Sequence, residues 1–248
     1  MVSYYWRLIA TAVSFTLFGV GGLAISLLLV PLGYLLSKEK REHLAKKVIH
    51  LAFRFFIEIM RILKILNYSG EGVELLAQPG QLIIANHPTL LDIVFLIARV
   101  PYASCIVKSN LFRNPFMSGS INFAGYIAND NPEEVIKLAE ATLKKGDSLI
   151  IFPEGTRSKR NEDLSFLRGA ANIAIRTQRD LCPVVISCKP LTLGKDESWY
   201  DIPDRTFHYH MSVQKPISIT PYLGQEATLA SRRLTQSLQS YFMRKSKW

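Results

Sequence analysis

The 248-residue chain has 48% hydrophobic and 20% charged residues. That leaves room for one α/β domain of roughly 200 residues plus an appendage, and not for two large domains. The balance excludes disorder as the main state, and charge spread over most of the chain argues against a polytopic membrane protein. Lys and Arg outnumber Asp and Glu by 30 to 20, a net charge of +10, which suggests an anionic partner: nucleic acid, an acidic membrane surface or a phosphorylated substrate.

In chain order, the first feature is a run of 30 residues without formal charge between Arg7 and Lys38. A signal peptide has an apolar core of about 7–15 residues, so the run is too long for one. About 20 apolar residues span a bilayer, so one tilted or kinked helix fits and two full spans do not. Gly19, Gly21, Gly22 and Pro31 offer break points, so a single span and a re-entrant or interfacial segment both stay open. The next stretch, Lys38 to Lys64, holds eight Lys/Arg and three Glu. Leu44, Val48, Leu51, Phe55, Ile59, Ile62 and Leu66 recur there at helical steps, with Lys47, Arg54, Arg61 and Lys64 on the other side. Such a helix either docks on a soluble core or lies on an anionic leaflet. Directly after a hydrophobic anchor the leaflet is favoured, with anionic membrane lipids as partners. The basic residues follow the anchor, so the positive-inside rule puts the remainder at the cytoplasmic, inner face of the plasma membrane.

Residues 1–68 therefore read as membrane anchor and basic amphipathic helix, and 69–248 as an α/β domain. Strands are expected at 82–85, 104–108, 148–153, 183–187, 207–213 and 217–220. Helices are expected from Pro88 to Val100, over 131–146 with Asn131 as N-cap, around 170–179 and over 227–244. The alternation predicts a sheet covered by helices.

The chemistry lies in two segments. In NHPTLLD, His87 and Asp92 are five residues apart and would diverge by about 140° on a continuous helix. Pro88 keeps His87 out of helical geometry, so the imidazole can swing over the helix start and Asp92 can accept from one of its nitrogens. That couple is a general base, the carboxylate fixing the tautomer and stabilising the imidazolium. The bland alternative is a capping histidine and an exposed aspartate. In FPEGTRS, a buried strand runs into Glu154, Gly155, Thr156 and Arg157; Gly155 permits close backbone approach and Arg157 offers a planar fork for phosphate, followed by Lys159 and Arg160. Lys108 and Arg168 are further basic candidates. Cys105, Cys182 and Cys188 form no paired spacing, so no disulfide framework or zinc ribbon is expected. His208 and His210 share one side of a strand but lack a third ligand, so no metal site is expected.

Together these segments resemble the 1-acylglycerol-3-phosphate (lysophosphatidate) acyltransferase family. The resemblance covers about residues 70–220 and rests on NHPTLLD (86–92) with FPEGTRS (152–158) some sixty residues on, VKSNLFRNPF (107–116), SFLRGAANIA (165–174) and PVVIS (183–187). It implies a helix-covered mixed α/β sheet of the glycerolipid acyltransferase type, with a membrane-associated N-terminal helical segment. It implies that His87 is the base, Asp92 orients it, Asn86 braces the turn, and Glu154, Gly155, Thr156 and Arg157, with Lys108 and Arg168, bind the acceptor. No cofactor is implied; acyl-CoA or acyl-carrier protein is the donor. One departure stands out. Where the family has a Gly-x-x-x-Ile-Asp-Arg-like segment, the corresponding stretch here reads Ala124-Gly125-Tyr126-Ile127-Ala128-Asn129-Asp130, without the Arg implicated in holding the acceptor phosphate. A different, specialised lipid acceptor therefore remains open. So does a non-catalytic membrane-binding protein on this scaffold. A nucleic-acid binder fits the charge but not the anchor.

Overall fold

The computed structural model describes residues 3–159 and 162–246; Arg160 lies outside the described residues. Its centre is a seven-stranded mixed sheet in the order β1-β7-β6-β2-β5-β3-β4. The strands are β1 (Leu66–Glu71), β2 (Leu82–Ala85), β3 (Ala103–Val107), β4 (Ile127–Ala128), β5 (Ser148–Ile151), β6 (Leu181–Lys189) and β7 (Phe207–Val213). All neighbours run parallel except β6 and β7, which pair antiparallel. Strands such as β2, LIIA, are apolar at every position because helices cover both faces of the sheet.

Alternation along the strands feeds two cores. Ile83 and Ala85 of β2 face one layer, with Val184 and Ile186 of β6. That layer is completed by helices α1 (Tyr4–Leu35), α2 (Lys38–Ile62) and α3 (Asp92–Ile97). Leu82 and Ile84 face the other layer, with Leu149 of β5. There α5 (Pro132–Lys144), α6 (Gly169–Thr177) and α7 (Ala227–Lys245) close the face. Asn131 caps α5 as its sequence suggests, accepting from the Glu133 and Glu134 amides at 3.0 and 3.4 Å.

Several elements differ from the sequence expectations. Helix α3 starts at Asp92 rather than Pro88: the Asp92 carboxylate accepts from the Thr89 amide and hydroxyl and holds residues 89–91 in a turn ahead of the helix. The strand expected at 217–220 reduces to one bridge between Leu181 and Ile217, with a 3₁₀ turn at Thr220–Tyr222; Pro216 and Pro221 remove the donors a ladder needs. Strand β1 crosses positions 68 and 69, and the short helix α4 (Ser118–Phe123) has no counterpart in the sequence reading.

Helix α1 is continuous through its glycines and Pro31. Residues Tyr4–Gly33 are long and apolar enough to cross a membrane. The helix nevertheless lies along the folded body. Trp6 Nε1 donates to the Leu63 carbonyl at 2.8 Å. Phe18 packs on Phe53 and Phe56. The Ser26 and Ser120 hydroxyls meet at 3.2 Å, where Gly119 lets α4 approach so closely that an added Cβ would stand 2.4 Å from Ser26. The opposite face of α1, with Ile9, Val20, Leu27, Leu28 and Leu35, is exposed. On α2, the core-facing residues are Ala45, Ile49, Ile57 and Met60. Leu51, Phe55 and Ile62 from the apolar stripe point outward instead, among the exposed Lys47, Arg54 and Arg61.

Candidate active site

The site forms where β2 and β5, adjacent and parallel, end at the same edge of the sheet. Asn86, fully buried, carries the ladder one residue past β2: its Nδ2 donates to the Ile186 carbonyl and its Oδ1 accepts from the Ile186 amide, both at 2.8 Å. That paired bond fixes the strand end from which His87 departs. The His87 amide donates to Glu154 Oε1 at 2.8 Å, and its carbonyl accepts from the Ser158 amide at 2.7 Å. The turn after β2 and the turn after β5 are thus fastened through the backbone of His87.

His87 Nδ1 lies 2.7 Å from Asp92 Oδ2. A carboxylate only accepts, so Nδ1 carries the proton and Nε2 is the basic nitrogen. Asp92 is wholly buried and also accepts from the Thr89 amide at 2.8 Å and the Thr89 hydroxyl at 2.9 Å. Charge in that place is held by three donors, which is how a buried carboxylate persists. The His87 ring stacks on Phe152, centroids 4.0 Å apart, so its plane is set from one side by an aromatic face and from one edge by Asp92.

Glu154 is mostly buried. Burial raises its carboxyl above the usual range, against the lowering effect of the His87 amide and of the Ser158 hydroxyl, which donates to Oε1 at 3.0 Å. Gly155 adopts a left-handed conformation, φ +68°, which favours glycine; a Cβ there would meet only the end of the exposed Leu167 side chain, at 2.7 Å. Arg157 is placed differently from a free phosphate fork. Its Nη1 donates to the carbonyls of Leu193 and Gly194 at 2.9 and 2.6 Å. The Leu193 carbonyl also accepts from the Leu90 amide at 3.0 Å, so this one oxygen ties the histidine turn, the Arg157 turn and the loop after β6.

A cavity of about 820 Å³ opens over His87. Lys108, Gly155, Thr156 and Arg157 line it, as do Phe15 and Phe18 of α1. Arg168 is exposed at the N-cap of α6 and Glu154 sits behind the lining, whereas Gly169 and Ala170 in the first turn of α6 reach the cavity. Asn129, in the segment that lacks the family Arg, accepts from the Ser109 amide at 3.3 Å and steadies the backbone beside Lys108. His208 and His210 lie outside the cavity, each 2.8 Å from the Ser69 hydroxyl. The three cysteines are buried and free, and burial pushes the Cys188 thiol up to about 12. Sequence reasoning missed Thr89, Phe152 and the α1 wall. The last had a signal: Arg7, just ahead of the apolar run, and Thr11, Ser14, Phe15 and Phe18 inside it recur at helical spacing and all face the cavity.

The family described as Acyltransferase matches residues 68–187. The chain is 30% identical over 194 residues to the 1-acyl-sn-glycerol-3-phosphate acyltransferase of Saccharomyces cerevisiae, covering 74% of this chain and 60% of that protein. It is 38% identical over 114 residues to the Helicobacter pylori enzyme of the same name, covering 43% of this chain and 48% of that protein. The chain thus spans between about half and three-fifths of the length of these two curated relatives. The crystal structure of the 1-acyl-sn-glycerophosphate (LPA) acyltransferase PlsC from Thermotoga maritima superposes with a TM-score of 0.71 over 97% of both chains at 21% identity, so the fold is shared.

Proposed function

We propose that this protein, which matches the acyltransferase family over residues 68–187, moves a fatty acyl group from acyl-CoA or acyl-carrier protein to the hydroxyl of a lysophosphatidate-like glycerolipid, a step of phospholipid biosynthesis. The observation that carries the reading is the His87–Asp92 couple at the wall of a largely apolar cavity. His87 Nε2 takes the proton of the acceptor hydroxyl while that oxygen attacks the thioester carbonyl. The tetrahedral intermediate then collapses, the carbon–sulfur bond breaks and the thiol leaves with the proton from the imidazolium. Asp92 holds the tautomer and stabilises the positive ring. No side-chain nucleophile is used, because the acceptor is the nucleophile. The reaction needs no cofactor, since the donor is itself a substrate.

For the acceptor phosphate, Lys108 supplies the cavity-facing cation and the first turn of α6 supplies a favourable dipole, with Thr156 alongside. Arg157 acts mainly by holding the loop at 193–195, since its Nη1 is spent on carbonyls. The division of labour is an α1–α2 membrane-facing layer and a catalytic α/β layer. Because α1 is fastened along its length to the same body that carries His87, it embeds in the leaflet without crossing, on the inner face, with the α2 cations at the lipid headgroups.

The test is acyl transfer by purified protein with CoA and carrier-protein donors against lysophosphatidate, other lysophospholipids and monoacylglycerol. Lysophosphatidate should be acylated, and His87→Ala should lower turnover by roughly 10²–10⁴-fold with membrane attachment intact. The missing Arg near Asn129 favours one second reading, a specialised acceptor; activity on another lipid alone would establish it. Inertness with every pair would leave the non-catalytic membrane-binding reading.

A further inference from the structure

Tyr209 stands in the middle of β7 with no exposed surface. Its ring lies flat on Phe95, centroids 3.8 Å apart and planes 9° from parallel, and Phe95 is one helical turn beyond Asp92 on α3. Its hydroxyl has no hydrogen bond of full geometry, and Asp92 and Cys188 are the ionisable groups beside it. A buried phenol with nothing to donate to is uncommon, and a carboxylate with capacity left is the natural recipient. Asp92 Oδ2 already accepts twice, from His87 Nδ1 and the Thr89 amide, whereas Oδ1 accepts once, from the Thr89 hydroxyl.

We propose that Tyr209 is a positioning residue of the reaction: its hydroxyl donates to the rear of the Asp92 carboxylate and sets how strongly Asp92 holds the His87 imidazolium. The inference rests on the acyl-transfer reading for its kinetic consequence, while the contact itself does not. Every other ionisable group facing this pair is identifiable. His87 and Glu154 stand on the cavity side, Cys188 lies on β6, and Glu197 adds its charge near Cys188 from the loop beyond β6. Tyr68, in register with Tyr209 on β1, turns its hydroxyl to Glu58 at 2.7 Å and so takes no part. Tyr209 is therefore the one protein donor left for Asp92 among these groups. A donor at the rear draws charge from the oxygen facing His87, so the ring releases its proton more readily to the leaving thiolate and resets as a base. Without it, the carboxylate grips the imidazolium more tightly and the base stays charged to higher pH.

Tyr209→Phe keeps the ring and its stack on Phe95 and removes only the hydroxyl. Expected are a roughly 3–10-fold lower kcat at neutral pH, a KM for the acceptor within about twofold of wild type, and an acidic limb of the kcat/KM profile displaced upward by about half a pH unit. The low-field NMR resonance of the His87 Nδ1 proton should move further downfield, a signature that requires no turnover. An unmoved resonance together with an unmoved pH limb, in a variant with wild-type thermal unfolding, would overturn the proposal and leave Tyr209 a packing residue. Wild-type protein inert with every donor and acceptor, but showing the displaced resonance in Tyr209→Phe, would sink the acyl-transfer reading and keep the contact.

Discussion

At the residue scale, the site is held by groups whose partners are backbone. Glu154 illustrates the cost. Burial raises its carboxyl, so the ionised form weighs against the folded state. Stability from such a group is present below the carboxyl's ordinary range and is lost as pH rises through the raised folded value. Glu154→Gln keeps an acceptor for the His87 amide without the charge. It should therefore be more stable than wild type at pH 7, with the gain vanishing on acidification below about pH 4. Thermal unfolding across pH 4–8 checks this, and a gain that grows in acid would reverse the sign. His87, Asp92 and the FPEGTRS turn were legible from the sequence because side-chain chemistry at fixed spacing leaves a pattern. The work of Arg157 was not, because its acceptors are the carbonyls of Leu193 and Gly194, and a carbonyl carries no residue identity. Thr89 was hidden for a related reason: a threonine that donates to Asp92 looks like any polar residue at a helix entrance.

At the scale of elements, hydrophobic periodicity located the long helices and the interior strands well. It failed where local bonds compete, as at the late start of α3, and where burial is decided by packing. Lys46 is the clearest instance. Its place in a basic helix suggests a solvated face, yet its side chain is 3% exposed and meets Asp147 at 2.6 Å, tying α2 to the start of β5. Removing one member of such a pair leaves the other uncompensated. Lys46→Ala should lower stability by about 2–3 kcal/mol, less than for a wholly buried pair because Asp147 keeps some water contact. Pairing Lys46→Met with Asp147→Leu should restore most of the loss. Unfolding titrations in detergent measure both, and a single-variant loss under about 0.5 kcal/mol would mean the pair is screened like a surface one. The edge pieces β1 and α4 escaped notice because both are short and half exposed, so neither has a clear period.

At the scale of the whole molecule, exposed apolar residues of α1 and the outward Leu51, Phe55 and Ile62 of α2 accompany exposed cations. A surface of that composition suits the headgroup region of an anionic leaflet. Lys40, Lys47 and Arg54 are exposed along α2. Changing all three to Gln should weaken partitioning onto anionic vesicles at low salt by roughly 100-fold, at about 1 kcal/mol for each charge, and leave binding to neutral vesicles unchanged. Flotation at two salt concentrations decides it; equal loss on both vesicle types would show that the helix, not its charge, was disturbed. The position of α1 has one more consequence, in time rather than in space. Phe15 and Phe18 wall the cavity, but they precede β6 and β7 by well over 150 residues of chain. At a ribosomal pace of about 5–20 residues per second, roughly 10–40 seconds separate the making of that wall from the making of β7, whose Phe207 lines the same cavity. Through that interval the cavity that α1 walls is incomplete on its β7 side. A lipid surface or a chaperone can shelter its apolar wall until the last strand arrives.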